Sequence, residues 1–238
     1  GAFMTTLDQS TALAESLVSV ANGAGLNTAA LITDMNQPLA SAAGNGLEMR
    51  NAVDFLTGRH QDARLKEVTL ALCAELAAMS GVAADAVAGR RMVEDALDSC
   101  RATERFGRMV AALGGPADFV ENMDAHLAPA PIVRDVFADG EGSVADIDTR
   151  GVGMAVVALG GGRASPDDII DHRVGFDRLA PLGAMADIHS PIARIHAADD
   201  ASAAEAEARL RGAYRLGDPV PTHPLVAGRV GPNSSFED

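Results

Sequence analysis

At 238 residues the chain is long enough for one large or two modest domains with a real core. Hydrophobic residues make up 47% and charged residues 22%, which excludes a disordered or fibrous chain. With 33 acidic against 19 basic residues the net charge is −14, which argues against non-specific binding to nucleic acid or to an anionic membrane.

The basic residues are almost all arginine, because Lys66 is the only lysine. It lies in a charged helical stretch, where a solvated role is expected rather than an amine nucleophile. Cys73 and Cys100 stand far apart with no CxxC or histidine partner, so neither a zinc site nor a disulfide framework is indicated. No apolar run approaches the roughly 20 residues of a membrane span and no targeting pattern opens the chain, so a cytoplasmic protein is expected.

In chain order, Leu7, Ala12, Leu13, Leu17, Val18 and Val20 have helical spacing, with Thr5 and Thr6 near the start and Asn22-Gly23-Ala24-Gly25 at the end. Thr28 to Met35 is a continuous apolar run that ends in polar residues, and it predicts a buried parallel strand. The loop Asn36-Gln37-Pro38-Leu39-Ala40 leads through Gly44-Asn45-Gly46 to a second helix marked by Leu47, Val53, Phe55 and Leu56. From Ala63 to about Leu113 the pattern is helical throughout, broken at Gly81 and ended by Gly114-Gly115-Pro116.

Beyond Ala128-Pro129-Ala130-Pro131 the period shortens. Short strands are predicted at 132–138, 142–147, 152–159 and 192–197, followed by a helix from Ser202 to Arg215. The fold class is α/β: a partial α/β domain over 1–128, with helices around a mostly parallel sheet, then a β-rich domain over 129–230. The tail 231–238 is expected to be mobile.

Few motifs carry chemistry by themselves. Gly160-Gly161-Gly162-Arg163 is read as following a strand and lacks the spacing of a dinucleotide or P-loop fingerprint, so a turn is favoured over a phosphate cradle. Val136 to Val144 resembles the hairpin of a biotinyl or lipoyl carrier, but that function needs a lysine at the tip and none is there. The six histidines show no i, i+4 pair and no HExxH, so no transition-metal site is expected. Thr33 to Leu39 is the best chemical candidate, since it delivers polar groups and loop carbonyls at a strand end. The alternative is a strand-to-helix loop whose Asp34 and Asn36 cap the turn.

Several segments together are more specific: Gly1-Ala2-Phe3-Met4, Val20 to Gly25, Leu31 to Leu39, Gly44-Asn45 with Leu47-Glu48, Phe106 to Val110, Asp148-Thr149-Arg150, Gly153 to Val157 and Gly160 to Arg163. In order and spacing this set resembles the thymidine and pyrimidine-nucleoside phosphorylases from residue 1 to about 197. The resemblance implies a homodimeric enzyme, with an α/β-hammerhead-like C-terminal domain, that splits thymidine reversibly into thymine and 2-deoxyribose 1-phosphate. Inorganic phosphate is the co-substrate and no cofactor is required. It also implies that Ala2, Phe3 and Met4 form the edge of the pyrimidine pocket. A monovalent-cation site is implied at the carbonyls of Leu39 and Ala42 with a carboxylate at position 51. This chain has Asn51 there, which brings no charge, and Glu48, one helical turn away, is the alternative carboxylate.

The family's KHSTGG-type phosphate loop does not occur in these residues. The expectation is therefore the C-terminal portion of such an enzyme, inactive alone, with apolar surface left exposed and hence self-association or poor order around residues 1–60. The rival expectation is a non-catalytic homologue that serves as a binding or assembly module.

Overall fold

The computed structural model describes residues 3–163, 165–218 and 223–232. In chain order the elements are α1 (Leu7–Gly23), β1 (Ala30–Thr33), α2 (Asn45–Thr57), α3 (Ala63–Met79), α4 (Ala86–Asp98), α5 (Arg101–Ala112) and α6 (Met123–His126). They continue with β2 (Ile132–Val136), β3 (Gly142–Ile147), α7 (Thr149–Ala158), β4 (Gly175–Asp177), β5 (Met185–Ala186), β6 (Ala193–Ala197), α8 (Asp200–Ala213), β7 (Tyr214–Leu216) and β8 (Val226–Val230). The fold is mixed α/β, helical in its first half and richer in sheet in its second.

Two compact units form, each interrupted in sequence: one from Gly1–Met35, Ala63–Asp95 and Pro221–Asp238, the other from Asn36–Asp62 and Ala96–Val220. In the first unit, Thr6 caps α1 by accepting a hydrogen bond from Gln9 N. The helix buries Ala14 and Val18 against Val230, with Ala30 and Ile32 alongside. Leu13, Leu17 and Val20, read from the sequence as part of its apolar face, stand exposed.

The expected parallel strand is different in the structure. β1 is half-buried and pairs antiparallel with β8, in the register Ala30↔Val230 and Leu31↔Arg229. Among the described residues its ladder partner comes from the far end of the chain, and that partner runs the opposite way. Arg229, on β8, donates from Nε to Glu75 Oε1 of α3 at 2.9 Å, which ties the ladder to the helices.

The second unit has its main core between two small antiparallel sheets and a helix pair. The sheets have the strand orders β2-β6-β4 and β5-β3-β7, and α7 packs on α8. Phe176, Ile192, Ile195, Leu210, Val136, Val144 and Val174 are among the most deeply buried side chains. A satellite cluster joins Val53 of α2 to Phe119 and Met123, with Phe106 and Val110 of α5 packed on it.

Residues 152–159, expected as a strand, form most of α7. Asp148 accepts from Gly151 N at 2.9 Å and so caps the helix. Val152, Ala155, Val156 and Leu159 then recur at helical spacing on the buried face, so the apolar run satisfies the longer period. The predicted strands at 132–138, 142–147 and 192–197 and the predicted helix at 202–215 correspond to β2, β3, β6 and α8. A reciprocal cap between Asp199 and Ser202 starts α8. Residues 233–238 of the expected tail lie outside the described residues.

Tyr214, at the start of β7, is the only tyrosine of a chain without tryptophan. Its hydroxyl donates to the Ala180 carbonyl at 3.1 Å, and burial pushes the phenol well above its ordinary value of 10.0. The fold thus favours the neutral phenol. That contribution to stability is complete below pH 10.0 and is lost as the pH rises through the higher folded-state value. The near-ultraviolet tyrosinate band is expected to stay absent at pH 10 to 11 in the folded protein and to appear there once urea unfolds it. A band growing in the folded protein with its midpoint at the ordinary value would contradict this placement.

Candidate functional site

The loop before α2 is fixed by backbone hydrogen bonds within the second unit. Ala43 N donates to Phe176 O at 2.9 Å and Phe176 N to Ala43 O at 2.8 Å. Leu179 N reaches Ser41 O at 3.0 Å, and Gly46 N reaches His172 O at 2.9 Å. The buried Gln37 accepts from Leu182 N through Oε1 at 3.0 Å. Such close approach requires Gly44 and Gly175, both at positive φ (129° and 147°); a Cβ at 44 would lie 2.5 Å from Val174 O. The loop is therefore a rigid platform on β4.

Four polar side chains converge beside it. Asn51, 9% exposed on α2, donates from Nδ2 to Asp62 Oδ2 at 2.8 Å. Ser41 Oγ donates to the same oxygen at 3.2 Å. His60 Nε2 lies 3.1 Å from Asp62 Oδ1 and 3.2 Å from Ser41 Oγ, so its N–H is shared between them. Burial pushes the Asp62 carboxyl up, but the hydrogen bonds from Asn51, Ser41 and His60 outweigh it and hold the group below the ordinary 3.8. Asp62 is thus the fixed anion of this corner.

The sequence reading did not single out Asp62. It sits in a polar turn, Gly58 to Asp62, without a motif, and the one available signal was its place just before α3. Glu48, the alternative carboxylate, is engaged elsewhere: its Oε1 accepts from Gly44 N at 3.0 Å at the start of α2. Leu39 and Ala42 are half-buried and flank Ser41 in the loop. The donor set does not fit a cation held by a charge at position 51. The Asn51 amide turns its nitrogen toward the carboxylate, and the Asp62 oxygens are taken by hydrogen bonds.

Of the expected base-pocket residues, Ala2 lies outside the described residues, Phe3 is fully exposed at 100%, and Met4 is half-buried. In the first unit, Asp34 is held by Arg64, whose Nη2 donates to Asp34 O at 2.9 Å and to Oδ2 at 3.2 Å.

The glycine run Gly160 to Gly162 follows α7, a helix, and not the strand read from the sequence. Gly160 N donates to Val157 O and Gly161 N to Val156 O, so these amides are spent in ending the helix. A cavity of about 670 Å³ opens beside α2, with Leu47, Arg50, His126, Leu127, Val133 and His172 on its wall. Its two arginines are already paired, Arg50 with Asp124 and Arg173 with Asp171, which leaves it no uncommitted guanidinium for an anion.

Comparison with protein families gives two matches in chain order. Residues 1–103 match the glycosyl transferase family α/β domain, and residues 143–217 match the pyrimidine nucleoside phosphorylase C-terminal domain. No helix among the described residues is long and apolar enough to cross a membrane.

Proposed function

Because the chain belongs to the pyrimidine nucleoside phosphorylase family, we propose that it serves the reversible phosphorolysis of thymidine, with thymine and 2-deoxyribose 1-phosphate as products. The observation that supports this most is the succession of the two matched domains, a pentosyl-transfer α/β domain and the C-terminal module of this family, on one chain.

The reaction passes through an oxocarbenium-like sugar. It needs an anion on one face of the ring and stabilisation of the negative charge on the departing base. Phe3 is the aromatic side chain available for base contact at the expected pocket edge, and its full exposure leaves the ring free to stack. Met4 and Ala2 complete that edge in this reading. The phosphate is not assigned to the 670 Å³ cavity, whose arginines are paired, nor to the glycine run, whose Gly160 and Gly161 amides close α7. On this reading the protein acts as a cytoplasmic homodimer on a pyrimidine nucleoside and phosphate, with no cofactor.

The 238 residues incubated with thymidine and phosphate are expected to release no thymine, because the family's KHSTGG-type phosphate loop is not among them. Adding a polypeptide that carries such a loop is expected to restore release. Restoration that is insensitive to Phe3→Ala would remove the role given to Phe3. A failure of any such polypeptide to restore release or to bind the chain would favour a non-catalytic module.

A further inference from the structure

The resemblance calls for a cation at Leu39, Ala42 and position 51, yet the residues present make a different closure. We propose that the Asn51–Asp62–Ser41–His60 network itself closes the 36–44 loop onto α2, with Asp62 as its carboxylate, and that this corner of the fold holds without a monovalent cation.

The argument rests on donor and acceptor chemistry. A cation bound between loop carbonyls and a helix carboxylate pulls two segments together through one charge. Here Asp62 performs that task with hydrogens. Its Oδ2 takes one from Asn51 Nδ2 on α2 and one from Ser41 Oγ in the loop, and its Oδ1 takes one from His60 Nε2. Three segments (the loop, α2 and the turn before α3) meet on one carboxylate. Both of its oxygens accept from donors, which a cation bound there would have to compete with. The neutral amide at position 51 is what makes this work. A carboxylate there would sit against Asp62 at hydrogen-bond distance, and two adjacent like charges need a proton or a counter-ion between them. The loop does not depend on this corner alone, since the Ala43–Phe176 and Ser41–Leu179 backbone bonds hold its other side.

Thermal unfolding of the full chain tests this at equal ionic strength in potassium, sodium and choline chloride. The wild-type midpoint is expected to be the same in all three within about 1 °C. Asn51→Glu is expected to lower the midpoint in choline by about 4 °C or more and to recover part of that in potassium. Asp62→Asn is expected to lower the midpoint equally in all three salts. The double variant N51E/D62N, which moves the charge to position 51 and the amide to 62, is expected to recover at least half of the loss of each single variant. A wild-type midpoint that rises saturably by several degrees with potassium, or saturable thallium binding to the wild type by thallium NMR, would overturn the proposal. These wild-type readouts stand even where a variant does not fold. They are also independent of phosphorolysis.

Discussion

Gly175→Ala is expected to cost about 3–5 kcal/mol of stability, summed from backbone strain and overpacking. Gly175 sits at φ +147°, a region that side-chain-bearing residues rarely adopt. A Cβ there would overlap the Ala43 carbonyl oxygen and lie 2.9 Å from Gly44 Cα. The neighbours are backbone on a paired strand and cannot swing aside. Relief requires breaking the reciprocal Ala43–Phe176 hydrogen bonds, which would free the platform that carries Ser41. Urea unfolding measures the loss, and amide exchange at Ala43 and Phe176 locates it. An unchanged urea midpoint with those amides still protected would refute the close approach.

Phe176→Ala is expected to be comparably severe, about 3–5 kcal/mol. The ring is 0% exposed in the centre of the second unit's core, and its removal leaves a cavity among Ile192, Ile195 and Val174 that fixed strands cannot fill. Phe3→Ala makes the contrast. Because Phe3 is fully exposed, its loss is expected to change stability by less than about 0.5 kcal/mol. In a restored phosphorolysis assay it is expected to raise KM for thymidine by roughly tenfold, the equivalent of one base–aromatic contact of about 1.4 kcal/mol. The two phenylalanines thereby separate the demands of folding from those of ligand contact. Equal stability losses in the two variants would show that Phe3 is packed.

Sequence periodicity revealed the helices between Ala63 and Leu113 and the strands β2, β3 and β6, because each has a single period and clear punctuation. It misread Val152–Leu159, where eight apolar residues satisfy a strand or a buried helix equally; the Asp148 cap was the deciding signal. It could not supply the partner of β1, since β8 lies about 200 residues away and pairing at that range leaves no local trace. The candidate site was half legible. Leu39, Ala42 and Asn51 came through resemblance, whereas Asp62 owes its importance to three donors from separate segments, a convergence that only the folded chain displays.

The antiparallel union of β1 with β8 has a consequence for biosynthesis. A ribosome extending the chain at about 5–20 residues per second makes β8 more than ten seconds after β1 at most of those speeds. Through that interval β1 lacks the one ladder partner it has among the described residues, and the second unit, whose last segment ends at Val220, is itself complete only shortly before β8 is made. The first unit therefore waits for β8 as a latch on β1. During that wait an unpaired edge beside the exposed Leu13 and Leu17 of α1 is a template for wrong pairings, the kind of nascent surface that chaperones cover.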